Sequence, residues 1–137
     1  MNIVVDTNIF ISAYIYGGDV RWITTRYAKK LDALFITDEI MNEVKNVFGR
    51  PKFGLSKEQF DYVITDIEKY GNKVIVLPQH QIGVVCRDPK DIKYIECAVA
   101  AKADCVITGD LDLLTIKEYK GIRILTAKEY LDIVNPL

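Results

Sequence analysis

Two stretches decide the fold: Ile3-Val4-Val5-Asp6-Thr7-Asn8 near one end of the chain and Cys105-Val106-Ile107-Thr108-Gly109-Asp110-Leu111-Asp112 near the other. Each begins as a short apolar run rich in β-branched residues with no polar alternation, the pattern of a strand covered on both faces in a parallel sheet. Each then passes directly into carboxylate. Ligands of open parallel sheets bind beyond the carboxyl ends of the strands, near a switch in strand order. An Asp or Asn at a strand end also caps the next helix or makes a turn, so either acid alone has that simpler explanation. The repetition at equivalent strand ends favours a site.

Outward from these runs the chain alternates helix and strand. Phe10, Ile11 and Tyr14 fit a helix that Gly17-Gly18 breaks, and a second helix is predicted from Trp22 to about Lys30. Leu34 to Ile36 is a buried strand, followed by the N-cap pair Thr37-Asp38 and a helix to Phe48, stopped by Gly49-Arg50-Pro51. Ser56-Lys57-Glu58-Gln59 has the capping-box form and opens a helix with Phe60, Val63, Ile64 and Ile67 on one stripe, ending at Tyr70-Gly71. Val74 to Leu77 is predicted as the third strand. Asp88-Pro89 precedes a helix over Asp91 to Lys102 with Ile92, Ile95 and Val99 as its stripe. Cys105 to Thr108 and Ile122 to Leu125 are the fourth and fifth strands, separated by an acidic loop with a short helix. A second capping box, Thr126-Ala127-Lys128-Glu129, leads a last helix to about Val134. The expected fold is a three-layer α/β/α sandwich with a mainly parallel central sheet of about five strands. At 137 residues, 50% of them hydrophobic, the chain suits one domain spanning 1–137.

Composition removes several function classes. No apolar run approaches the ~20 residues of a membrane helix, and the opening Met-Asn-Ile-Val-Val-Asp lacks the basic and apolar regions of a secretory signal, so a cytoplasmic location is expected. Cys86, Cys97 and Cys105 are odd in number, widely spaced and set among apolar residues, which suits reduced core thiols better than disulfides or a thiolate metal site. The single histidine, His80, lies in a polar Pro-Gln-His-Gln loop and excludes zinc fingers and HExxH helices. A net charge of −1 and a pI near 5.8 are not those of a protein that coats nucleic acid.

Two further acids lie on helices. In the helix after the second strand, Glu43 sits about 60° from Ile40 on the flank of the apolar stripe formed by Ile40, Val44 and Val47, given ~100° per residue. Asp91 stands in the first turn of its helix, where the dipole favours an anion, with Asp88 a rival for the capping position. Three or four carboxylates in one cleft repel one another unless protons or cations compensate. With oxygen ligands only, Mg²⁺ or Mn²⁺ suits the set better than zinc or copper. Such ions clamp phosphate esters and activate water, so phosphodiester hydrolysis is the reaction class these residues suggest.

Four stretches in this order, Val4-Val5-Asp6-Thr7-Asn8, Glu43 ahead of Arg50-Pro51-Lys52-Phe53, Arg87-Asp88-Pro89-Lys90-Asp91, and Ile107-Thr108-Gly109-Asp110-Leu111-Asp112-Leu113-Leu114, resemble PIN-domain proteins of the kind found as toxins of toxin–antitoxin pairs. The resemblance spans nearly the whole chain. It implies an α/β/α fold, endoribonuclease activity on single-stranded RNA with Mg²⁺ or Mn²⁺, homodimers, and inhibition by a small antitoxin. Asp6, Glu43 and Asp110 match the family's metal-binding acids. Asp91 is assigned the third acid, with Glu96 and Asp88 as alternatives. Asp112 is expected to join Asp110, Asn8 or Thr108 to orient acids or water, and Arg50, Lys52, Arg87 and Lys90 to meet the RNA backbone. Trp22 and the tyrosines could stack on bases, although at helical spacing they suit the core.

Alternatives remain. A haloacid-type phosphatase needs a second acid two residues after its first, where this chain has Asn8. A receiver domain needs paired acids and a later lysine that the pattern does not supply. A non-catalytic PIN-like RNA-binding module would be expected to have lost acids that this chain retains.

Overall fold

Burial of the two diagnostic runs side by side organises the molecule. The computed structural model describes residues 1–83 and 89–135; Cys86, Arg87 and Asp88 fall outside them. Strand β1 (Asn2–Val5) pairs in parallel with β4 (Cys105–Ile107), with Val4 opposite Val106 and Val5 opposite Ile107. Ile3, Val4, Val106 and Ile107 are fully buried, as expected of strands covered on both faces. On its other side β1 pairs with β2 (Ala33–Ile36), which pairs with β3 (Gly71–Lys73); β4 continues through β6 (Ile122–Leu125) to the two-residue β5 (Glu118–Tyr119). The order is β3-β2-β1-β4-β6-β5, parallel except for β5. Chain progression reverses between β1 and β4, which makes their carboxyl ends the switch point.

Helices cover both faces of the sheet. They are α1 (Thr7–Ile11), α2 (Arg21–Ala28), α3 (Asp38–Phe48), α4 (Lys57–Tyr70), α5 (Ile92–Ala101), α6 (Leu111–Leu114) and α7 (Ala127–Val134). Their starts follow the sequence signals. The Thr37 hydroxyl accepts from the Ile40 N–H at 3.1 Å, and reciprocal capping bonds join Ser56 with Gln59 and Thr126 with Glu129. After α1 the chain continues as a wider π turn over Ser12–Tyr16, closed by Gly17 at φ 75°. α5 packs against β1, β2 and β4, and α2 touches α7.

Three expectations need correction. The third strand is Gly71–Lys73, not Val74–Leu77. α4 runs directly into it without a loop, because a Cβ at Gly71 would lie 2.8 Å from the Ile67 carbonyl and 2.9 Å from Ile36 Cγ2. Pairing with β2 therefore starts at Gly71 and is exhausted once Val74 N–H reaches the Ile36 carbonyl; Ile75 is left 75% exposed. Among the described residues the sheet has six strands, the sixth being a hairpin partner of β6 inside the segment expected as a loop. Its turn residues Lys120 and Gly121 both have positive φ, the requirement of a tight type I′ turn. Trp22 is exposed rather than core, because Ile23 and Tyr27 occupy the inward phase of α2.

At the amino end of the strands, Asp32 is buried and receives the Arg26 guanidinium at 2.9 Å and the Tyr130 hydroxyl, joining α2 to α7 beneath β2. Removing the acid strands a largely buried cation. Asp32→Ala is expected to lower stability by roughly 3 kcal/mol, read as a fall in the urea midpoint at unchanged m-value.

Candidate active site

Thr108 joins the two diagnostic strands at their carboxyl ends. Asp6, just beyond β1, extends the ladder by donating its N–H to the Ile107 carbonyl at 3.0 Å, and Thr108, just beyond β4, donates its N–H to Leu125 at 2.9 Å. The Thr108 hydroxyl donates to Asp6 Oδ2 at 2.7 Å and accepts the Asp110 N–H at 3.0 Å. Asp6 caps α1 through the Asn8 N–H at 3.4 Å, and Asp110 caps α6 through the Asp112 N–H at 2.8 Å. The simple capping role is therefore real for both acids. It leaves carboxylate oxygens over for other partners. Asp91, buried at the start of α5, comes together with Asp110 and Asp112 so that one oxygen from each lies within 4.8 Å of the others.

A second group adjoins the first. Glu43, on α3, accepts at Oε2 from the Thr7 hydroxyl at 3.0 Å and from the Tyr94 hydroxyl, and the Lys93 ammonium lies 3.4 Å from the same oxygen. The Thr7 and Tyr94 hydroxyls are 2.7 Å apart, and the Thr7 N–H donates to the tyrosine oxygen at 3.3 Å. Lys93 is held over the Tyr94 ring, 5.0 Å from its centre, and donates to the Lys90 carbonyl.

Burial pushes the Asp6 pKa up, bonds from the Thr108 hydroxyl, the Asn8 N–H and the Tyr94 hydroxyl pull it down, and the charge of Glu43 pushes it up again. The net shift is upward, so the ionised form is the costly one. The Tyr94 hydroxyl is raised by burial and by the charges of Asp6 and Glu43, which keeps it a proton donor.

Of the residues expected in the site, the structure gathers Asp91, Asp110 and Asp112, with Asp6 linked to them through Thr108 and Glu43 in the adjoining group. Thr108 orients acids with its side chain, while Asn8 contributes only its backbone N–H and is otherwise exposed. Glu96 accepts the Ile82 N–H at 3.1 Å and is not one of the three acids gathered within 4.8 Å. Arg50, Lys52 and Lys90 are exposed, Lys52 lying over Phe53, and Arg87 and Asp88 fall outside the described residues. His80 accepts the Leu77 N–H in a surface turn. Cys97 and Cys105 are buried free thiols, pushed up to about 12 by burial. Sequence reasoning misses Thr7, Lys93 and Tyr94. Helical spacing puts Tyr94 one turn beyond Asp91, but nothing in the sequence ties it to Glu43. A cavity of about 550 Å³ lined by Tyr14, Arg21, Thr25, Tyr62 and Asp66 contains none of these acids.

The PIN domain family model matches residues 2–112, and the chain belongs to the PIN-domain family. An uncharacterised protein of Methanocaldococcus jannaschii is 24% identical over 96% of this chain and 90% of its own length. The crystal structure of VapBC2 from Rickettsia felis bound to a DNA fragment from their promoter contains a chain of the same fold, with a TM-score of 0.68 at 14% identity over 92% of this chain and 98% of that one.

The raised Asp6 pKa has a consequence for stability. The folded protein holds the Asp6 proton more tightly than the unfolded chain, so stability falls as pH climbs from the ordinary value of 3.8 through the folded pKa. Asp6→Asn is expected to melt higher than wild type in EDTA at pH 7. The gain disappears below the ordinary aspartate pKa. Equal melting temperatures at both pH values would contradict this account.

Proposed function

We propose that this protein is a divalent-metal-dependent endoribonuclease that hydrolyses phosphodiester bonds of single-stranded RNA. The observation that carries the reading is the convergence of Asp91, Asp110 and Asp112 within 4.8 Å at the switch point, with Asp6 tied to Asp110 through one hydroxyl. Mg²⁺ holds its oxygens at about 2.0–2.1 Å, so opposed ligands lie about 4.1 Å apart. The all-oxygen donor set suits Mg²⁺ or Mn²⁺. Asp91, Asp110 and Asp112 would hold the ion, with Asp6 and Glu43 flanking it.

When bound, such an ion polarises the phosphoryl oxygens and lowers the pKa of water at neutral pH. The chain's own residues supply the framework. Thr108 fixes Asp6 relative to Asp110, while Thr7, Tyr94 and Lys93 fix Glu43. Arg50, Lys52, Arg87 and Lys90 flank the site in sequence and would meet backbone phosphates, positioning the strand without reading bases. The PIN-domain membership, the sequence resemblance to toxin members and the shared fold with a chain of the VapBC2 crystal structure support the further reading that the protein is the toxin of a toxin–antitoxin pair. It would act in the cytoplasm as a homodimer, restrained by a small antitoxin. Among the described residues no helix is long and apolar enough to cross a membrane.

Incubation of a single-stranded RNA oligonucleotide with MgCl₂ or MnCl₂ is expected to yield internal cleavage that EDTA abolishes. Asp6→Asn and Asp110→Asn are each expected to slow it at least about a hundredfold, the loss of roughly 2.7 kcal/mol of transition-state stabilisation. Undiminished cleavage in EDTA, or release of phosphate from a small phosphomonoester instead, would overturn the assignment. For the flanking cations, Arg50→Ala with Lys52→Ala is expected to raise KM, leave kcat near wild type and flatten the salt dependence of binding.

A further inference from the structure

The ring of Tyr94 belongs to the core, where phenylalanine would fill the same space. Its hydroxyl needs a separate account. Tyr94 is only 2% exposed, and its oxygen stands where three elements meet: α5, which carries Asp91 one turn earlier; α3, which carries Glu43; and the start of α1, where Thr7 follows Asp6. It donates to Glu43 Oε2, exchanges a hydrogen bond with the Thr7 hydroxyl at 2.7 Å, and accepts the Thr7 N–H at 3.3 Å. The two hydroxyls hold two protons for three mutual contacts among Thr7, Tyr94 and Glu43. They act as one shared network, and deleting either hydroxyl disturbs the whole.

We infer that Tyr94 is a positioning residue for divalent metal, its hydroxyl holding Glu43 and Thr7 so that acids on separate elements keep a common geometry. The inference rests on the metal-dependent reading above and deepens it. A glutamate that is 33% exposed would otherwise lose rotamer freedom when a cation binds. Here the Tyr94 hydroxyl, the Thr7 hydroxyl and the Lys93 ammonium all meet Oε2, which settles the side chain in advance and leaves Oε1 outside that network. Outer-shell hydrogen bonds of this kind govern affinity at carboxylate metal sites, and their loss costs 10–100-fold.

The test is titration of the purified full chain with MnCl₂ alone, followed by calorimetry and by the electron paramagnetic resonance signal of free Mn²⁺. Tyr94→Phe is expected to weaken Mn²⁺ binding at least about tenfold while retaining a cooperative melt in EDTA. Tyr130→Phe removes a different buried hydroxyl, bound to Asp32, and is expected to melt lower with wild-type Mn²⁺ affinity. That separates positioning from general loss of stability. Should Tyr94→Phe fail to fold, the Thr7 pair decides: Thr7→Ser is expected to bind like wild type and Thr7→Val about tenfold more weakly. Wild-type affinity in a folded Tyr94→Phe, or in Thr7→Val where Tyr94→Phe does not fold, would overturn the positioning role alone. Failure of the wild type itself to bind Mn²⁺ would instead overturn the metal-dependent reading, and the positioning role with it.

Discussion

The Thr108 hydroxyl binds in two directions, and the arrangement of the site depends on that. Its proton goes to the Asp6 carboxylate and its lone pair takes the Asp110 N–H, so the residue just beyond β4 fixes the residue just beyond β1 while turning the chain toward α6. A methyl group in place of the hydroxyl would leave a buried carboxylate oxygen and a backbone N–H without this partner. The parallel ladder brings the two strands together, but main-chain bonds alone do not say how far apart their terminal acids stand. The hydroxyl does.

Around that link the protein accumulates negative charge against its own stability. Burial first, and the charge of Glu43 in smaller part, raise the Asp6 pKa. Asp91, Asp110 and Asp112 crowd together nearby. Hydroxyls, backbone N–H groups and the Lys93 ammonium offset part of the repulsion, each aimed at a particular oxygen. Such partial compensation suits a site that is to be completed by a cation, because full internal neutralisation would leave nothing for the ion to gain.

The sequence was legible where local chemistry and global fold ask for the same residue. The runs ending in Asp6 and Asp110 identify themselves, because strands buried on both faces have no polar alternation. The capping boxes at Ser56 and Thr126 locate helix starts to the residue. It was misleading at Val74–Leu77, where an apolar run looks like a strand but the partner strand has already ended. Hydropathy registers composition and not the length of a neighbour 38 residues away in the chain, as the Asn72 bond to Leu34 illustrates. Lys93 and Tyr94 stayed hidden for a related reason. A lysine and a tyrosine on a helix have many uses, and only the juxtaposition of α5 with α3 makes them partners of Glu43.

The Asp32 cluster with Arg26 and Tyr130 lies at the opposite ends of the strands from the acids. What anchors the fold and what would perform chemistry are thus separated by the length of the sheet. The side-chain bonds that hold one rim share no residue with those that hold the other.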